Sequence, residues 1–140
     1  MSGDGLAVAA EHAEIVGYSA LRHVRGLPPG TLAAATAEET DELVAMVRQR
    51  ANSRRFESDV LLQTVELGRA PLRAAKSAVD RDFEGEDPRA LAESPCVLFA
   101  RTAAEAAVEI ERRRERWGFT SMTTFAASVD ALAQVRRELV

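Results

Sequence analysis

Few residues of this sequence can form a covalent cross-link or bind a metal. Cys96 is the only cysteine, so the chain has neither an internal disulfide nor a cysteine-based zinc site. The two histidines, His12 and His23, lie on different predicted elements and lack the i, i+4 spacing of a metal-binding pair, so we predict no metal site. Cys96 follows Pro95 in an apolar run, where we expect a small buried thiol rather than a nucleophile.

The sequence also lacks a long apolar segment and a surplus of basic residues. No apolar run approaches the roughly 18 residues of a membrane span, and no basic and then apolar leader is present, so we expect a cytoplasmic protein with no membrane partner. The formal net charge of -4 argues against nucleic acid as a partner. A chain of 140 residues with 46% hydrophobic and 29% charged residues is typical of one globular domain, which we assign to residues 1–140.

The last third of the chain predicts a helix, a strand and a second helix. Thr102 and Glu105 form a capping-box pattern, because the Thr102 hydroxyl can accept from the Glu105 N–H while the carboxylate reaches back. Gly118 supplies the left-handed residue that ends this helix. Residues 119–125 then alternate with the period of a strand, and Ser128 is the expected N-cap of the closing helix.

The helix between Thr102 and Gly118 has an apolar stripe and a charged face. Four residues recur at helical spacing in the stripe: Ala103, Ala106, Ile110 and Trp117. Seven charged residues lie on the other face: Glu109, Glu111, Arg112, Arg113, Arg114, Glu115 and Arg116. We interpret this face as solvated, with Glu109 and Arg113 as a weak i, i+4 pair, rather than as an anion site.

Earlier segments continue the alternation of helices and strands. A short helix near Leu6 precedes a strand at 15–18, and the Pro- and Gly-containing loop 22–36 is either a binding loop or a disordered segment. Thr36 and Glu39 repeat the capping box at the start of a helix that ends near Asn52.

The middle of the chain predicts one more strand and two more helices. The strand has its core at 60–65, the first helix begins at Pro71, and the shorter one runs from Pro88 to about Glu93. A brief apolar run at 96–100 leads to the last third. This order favours an α/β fold with parallel strands.

Four stretches carry a resemblance to a known family: LAVAAEHAEIVGYSALR, TAEETDELVAMVRQRA, VLLQTVEL and LAESPCVLFARTAAEAAVEIERRRERWGFTSMTTF. They span nearly the whole chain and resemble the luciferase-like monooxygenases, in particular the deazaflavin (coenzyme F-420) dependent oxidoreductase branch. The last stretch is the most specific. Its helix, charged run, aromatic residue, glycine, phenylalanine and strand follow the order typical of the family's carboxy-terminal region.

The resemblance implies an incomplete barrel. Members of the family are (β/α)8 barrels more than twice as long, so this chain resembles only the C-terminal part, a partial TIM-barrel-like fold with about three main parallel strands and flanking helices. The strands at 15–18, 60–65 and 119–125 would match the sixth, seventh and eighth barrel strands. They leave an inner face and two edges uncovered. Self-association, a separately encoded chain that completes the barrel, or a rearranged open sheet would each cover them.

The family's chemistry implies an oxidoreductase or monooxygenase that uses a reduced deazaflavin, coenzyme F-420, or FMN. Gly3 and Gly5 match a glycine-rich turn whose backbone helps to hold the cofactor phosphate at a helix start. Thr102 matches a second, Gly-Thr turn, but Arg101 stands where the glycine would be. Arg101 can offer a charge to the phosphate but not the close backbone approach of glycine.

Two hypotheses for function remain open. The chain is an oxidoreductase of this family that is incomplete without another chain, or it is a non-catalytic remnant that acts as a binding or assembly module. The resemblance assigns no catalytic residue, because the family's ring-binding and substrate-selecting residues lie mostly in the part that this chain lacks. Phe119, Met122 and Phe125, on a strand with an open edge, indicate self-association into a homo-oligomer.

Overall fold

The structure is a computed structural model that describes residues 15–19, 21–23, 32–51 and 57–139. Within these ranges the strands are β1 (Ile15–Ser19), β2 (Leu21–His23), β3 (Leu32–Ala34), β4 (Glu57–Leu62), β5 (Thr64–Leu67), β6 (Val97–Ala100) and β7 (Ser121–Thr124). The helices are α1 (Ala37–Ala51), α2 (Pro71–Arg81), α3 (Pro88–Glu93), α4 (Ala103–Trp117) and α5 (Val129–Glu138), and a 3-10 turn (Ala126–Ser128) precedes α5. Among the described helices, none is both long and apolar enough to cross a bilayer.

Three parallel strands form the largest sheet among the described residues. The order is β1, β4, β7, with β4 in the middle and both neighbouring pairs parallel. Val60 of β4 is in register with Tyr18 of β1 and with Met122 of β7. The predicted α/β class with three main parallel strands is therefore confirmed.

The strand predicted at 60–65 is two strands that meet at Gln63 and belong to different sheets. β4 pairs with β1 and β7, whereas β5 pairs in parallel with β6. The Gln63 N–H donates to the Cys96 carbonyl at 2.7 Å, so contact with the segment that leads into β6 begins where β4 ends. All four residues of β6 are buried, which explains why the apolar run at 96–100 is a full strand rather than a connection.

The segment predicted as a loop, 22–36, is strand at both ends. β2 and β3 pair antiparallel, with His23 in register with Leu32. Apolar residues flank the Gly- and Pro-containing stretch on both sides, which is the pattern of a hairpin with a long connection. The connection itself, and the predicted helix near Leu6, lie outside the described residues.

The predicted helix caps at Thr36, Thr102 and Gly118 are confirmed. Each threonine Oγ1 accepts from the backbone N–H three residues later at 3.1 Å. Gly118 adopts φ 75°, the left-handed conformation that a side chain with Cβ rarely adopts.

Ser128 stands at the N-cap position of α5 but does not cap the helix. Its backbone is already in the right-handed helical region, and its hydroxyl instead accepts from the Val65 N–H at 3.0 Å. The predicted cap is therefore wrong. The buried hydroxyl of Ser128 joins the start of α5 to β5.

Two groups of buried side chains flank β6. Val97 and Phe99 belong to the group that includes the apolar residues of α2 and α3, whereas Leu98 and Ala100 belong to the group that includes those of α4 and α5. Alternate residues of a strand point to opposite faces, so helices cover both faces of β6. Trp117 is buried, as predicted, and its ring lies 6.0 Å from that of Phe119 between centroids.

Candidate functional site

The predicted cofactor residues Arg101 and Thr102 connect the carboxyl end of β6 to the start of α4. Both are exposed. Arg101 forms no ion pair with a described residue. The Glu105 carboxylate accepts from the Arg101 N–H at 3.3 Å. In a standard capping box it would accept from the N–H of the N-cap residue, Thr102. Gly3 and Gly5 lie outside the described residues, so their part of the predicted site stays a prediction.

The start of α4 is suited to an anion but already holds a carboxylate. The first N–H groups of a helix lack intrahelical partners and attract negative charge. Glu105 supplies that charge from within the chain, beside the Thr102 hydroxyl. A phosphate could use Arg101 and Thr102 only if the Glu105 side chain turned away, so the residues present fit the phosphate end of the predicted cofactor in part.

The three-stranded sheet has one polar face. Asp59 of β4 accepts hydrogen bonds from the hydroxyls of Ser121 at 2.6 Å and of Thr123 at 3.0 Å. Ser121 and Thr123 are exposed, whereas Val60 and Leu62, on the opposite face of β4, are buried in the two core groups. Within the part of the chain that the structure describes, the core therefore lies on the Val60 and Leu62 side of β4, and the face that carries Asp59 is polar and compatible with water.

Phe119, Met122 and Phe125 were expected to be exposed and to drive self-association, but only one of them is exposed. Phe119 is buried and Met122 packs half-buried against the core, which leaves Phe125 as the exposed one of the three, at 48%.

The predicted charged face of α4 is not solvated throughout, because Arg113 is 94% buried. Its Nε donates to Glu109 Oε1 at 3.0 Å, while Nη1 and Nη2 form no hydrogen bond within the described residues. Arg113 continues the stripe of Ala106, Ile110 and Trp117 at helical spacing, and this spacing is the signal from which its burial could have been predicted.

Glu109 bridges two guanidinium groups. Its carboxylate accepts from Arg112 at 2.8 and 2.6 Å and from Arg113 at 3.0 Å. Burial raises the pKa of the Glu109 carboxyl, but the hydrogen bonds and charges of Arg112 and Arg113 outweigh burial and hold the pKa below its ordinary value. Burial also lowers the pKa of the Arg113 guanidinium, against the opposing charge of Glu109.

A groove of about 430 Å³ lies between α2, α3 and α4, and Arg113 lines it. Its apolar lining consists of Pro71, Leu72, Ala92, Phe99 and Ala100. Its charged lining consists of Arg89, Arg112, Arg113, Glu93, Glu105 and Glu109. The lining charges balance. The sequence patterns did not predict this groove, because its walls form only when three successive helices and β6 pack against each other.

A second charged cluster joins α1 to α4. Arg116 donates two hydrogen bonds to the Asp41 carboxylate at 2.8 and 2.7 Å, and the Trp117 Nε1–H donates a third at 2.8 Å. The hydrogen bond from Arg116, followed by that from Trp117, lowers the pKa of Asp41. These contacts give the buried Trp117 ring its hydrogen-bond partner and fix the end of α4.

Cys96 is a buried thiol, as predicted. Burial raises its pKa to about 11, against a hydrogen bond with Ser94 and the charge of Arg113, so the nucleophilic thiolate is scarce at neutral pH.

Comparison with known proteins gives no relative: no family model, curated protein or solved structure matches the chain.

Proposed function

We propose that the chain is an oxidoreductase of the luciferase-like monooxygenase family that uses reduced coenzyme F-420 or FMN. The observation that carries the proposal is the parallel order of β1, β4 and β7, with helices between successive strands, as in the carboxy-terminal part of a (β/α)8 barrel. The sequence resemblance to that part of the family supports it independently.

The start of α4 is the proposed position of the cofactor phosphate. Arg101 would contribute a charge and Thr102 its hydroxyl, next to the free N–H groups of the first helical turn. The cofactor would supply the hydride or oxygen chemistry, and the chain would bind and orient it. No described residue is assigned to the cofactor ring.

The proposal includes a second chain, either another copy or a separately encoded one, that completes the barrel. Buried residues of β4 face the core on one side, so the Asp59 face would line the interior of a closed barrel. β1 and β7 are the outer strands of this sheet, with edges that a closed barrel would pair. Additional strands would pair these edges and enclose the polar face.

The alternative function is a non-catalytic remnant of the family that acts as a binding or assembly module. Two observations favour it. Glu105 occupies the helix start that a phosphate would need, and the polar face around Asp59 needs no partner to be stable in water.

Titration of FMN and of the deazaflavin into the isolated chain tests the phosphate site. We expect a dissociation constant no tighter than roughly 10 μM, about 7 kcal/mol, because the ring contacts are missing. Glu105→Gln should tighten binding about threefold or more by removing a negative charge near the phosphate, whereas Arg101→Glu should abolish binding. The matched control is Arg137→Glu, an exposed substitution of the same charge change on α5.

The outcomes separate the two functions. Opposite effects of Glu105→Gln and Arg101→Glu, with no effect of Arg137→Glu, support the oxidoreductase. Absence of binding by both the wild-type chain and the Glu105→Gln variant would contradict the phosphate site proposed at the start of α4. Nanomolar binding by the wild-type chain alone would overturn the claim that its site is incomplete.

A further inference from the structure

The groove between α2, α3 and α4 contains a buried cation with unused donors. Arg113 is 94% buried, and the Glu109 carboxylate takes only its Nε–H. The Nη1 and Nη2 groups have no hydrogen-bond partner among the described residues. No fully buried polar side-chain atom of the described residues lacks a hydrogen-bond partner, so these two groups are accessible to solvent at the groove. A guanidinium whose unpaired N–H groups open to a groove can pair with a planar anion, because its fork matches the two oxygens of a carboxylate.

The six charged side chains of the lining sum to zero, so an anion of charge -1 is favoured by its local pairing with Arg113 and not by the net charge of the groove. Arg112 and Arg113 share the single carboxylate of Glu109, which leaves one positive charge in this part of the groove. Glu93 and Glu105 also line the groove and would repel a second negative charge. On α3, Arg89 forms no ion pair with a described residue and provides a further cation in the lining.

The remaining lining suits an apolar body. Pro71, Leu72, Ala92 and Phe99 supply apolar surface, and Leu72 is a large hydrophobic residue that is 36% exposed. A volume of about 430 Å³ lies within the range of small-molecule sites, about 300–1,000 Å³. A ligand that covers Leu72 would also remove apolar surface from water.

From these contacts we infer that the groove binds a small carboxylic acid with an apolar body, whose carboxylate pairs with Arg113. This site is separate from the proposed phosphate site. The two regions adjoin at Glu105, but Arg101 and Thr102 do not line the groove. The inference therefore holds whether or not the chain binds a flavin.

The test is an NMR titration of the full chain with three compounds of one shape: 4-phenylbutyrate, its neutral amide, and 4-phenylbutyl phosphate. We expect 4-phenylbutyrate to bind with a dissociation constant of about 1 mM or tighter, as its size allows. The amide should bind at least about tenfold more weakly, because it lacks the charge-assisted pair. The phosphate should also bind more weakly, and the shift changes should centre on α2, α3 and α4.

Two variants locate the site. Arg113→Met keeps an unbranched apolar stem but removes the guanidinium and its charge, and Glu109 keeps Arg112 as its partner. Leu72→Glu adds a negative charge at the exposed wall, and its matched control is Val108→Glu, which is 71% exposed and does not line the groove. Arg113→Met and Leu72→Glu should each weaken binding at least about tenfold, and Val108→Glu should leave it unchanged.

Several results would overturn the inference. They are the absence of binding at millimolar 4-phenylbutyrate, equal binding of the amide, tighter binding of the phosphate, and shift changes centred away from the groove. Unchanged binding by either Arg113→Met or Leu72→Glu would do the same. If Arg113→Met does not fold, Leu72→Glu against Val108→Glu decides alone, since both substitutions are at exposed positions.

Discussion

Replacing Glu109 with Met should destabilise the fold by about 3 kcal/mol, whereas replacing its partner Arg113 with Met should cost about 1 kcal/mol or less. The asymmetry arises because Glu109→Met leaves the buried Arg113 cation without its carboxylate, while Arg113→Met leaves Glu109 paired with Arg112. The double variant should recover most of the stability lost in Glu109→Met, since it removes the buried charge together with its partner.

Urea unfolding at pH 7 measures these differences. The control is Glu111→Met, which removes a pair with Arg114 whose side chains are 50% and 49% exposed; its cost should stay below about 1 kcal/mol. The folded-state pKa of Glu109 is lowered, so its contribution is present above the ordinary Glu pKa of about 4.3 and is lost as pH falls through the lower folded value. A double variant as unstable as Glu109→Met would contradict the account.

Phe83→Ala should cost about 3–5 kcal/mol, the range expected when a fully buried aromatic ring is removed. Phe83 is 1% exposed and lies between α2 and α3, in the same group of buried side chains as Val97 and Phe99 of β6. Loss of the ring would leave a cavity that these elements can fill only in part.

The matched control for Phe83→Ala is Leu72→Ala on α2. Leu72 is 36% exposed, so its truncation should cost about 1 kcal/mol or less. Urea unfolding of both variants gives the comparison. A cost for Phe83→Ala no larger than that for Leu72→Ala would mean that α2 and α3 do not pack on β6 as described.

Local patterns predicted most of the helix ends and the parallel strands. The threonine caps and Gly118 depend on hydrogen bonds over three residues and on one backbone conformation, both of which the sequence specifies locally. The division of one predicted strand at Gln63 could not be predicted in this way. It depends on which neighbour each half pairs with, β7 for one and β6 for the other.

The same limit applied to the candidate sites. Ser128 has the residue type of an N-cap, but its hydroxyl accepts a hydrogen bond from the N–H of Val65, 63 positions earlier. The role of Arg116 depends on Asp41, 75 positions away. Arg113 differs from these cases, because its helical spacing in the sequence places it on the buried stripe of α4. We predicted it as exposed only because it is charged. The groove therefore follows from packing rather than from a motif.

Native mass spectrometry of the protein purified from the cells that produce it tests the central claim most directly, because gentle ionisation preserves both bound cofactors and bound chains. The account predicts an assembly in which this 15.2 kDa chain is joined by another polypeptide, a second copy or a separate one, and carries the mass of FMN or of the deazaflavin. A single 15.2 kDa chain without bound cofactor would contradict it.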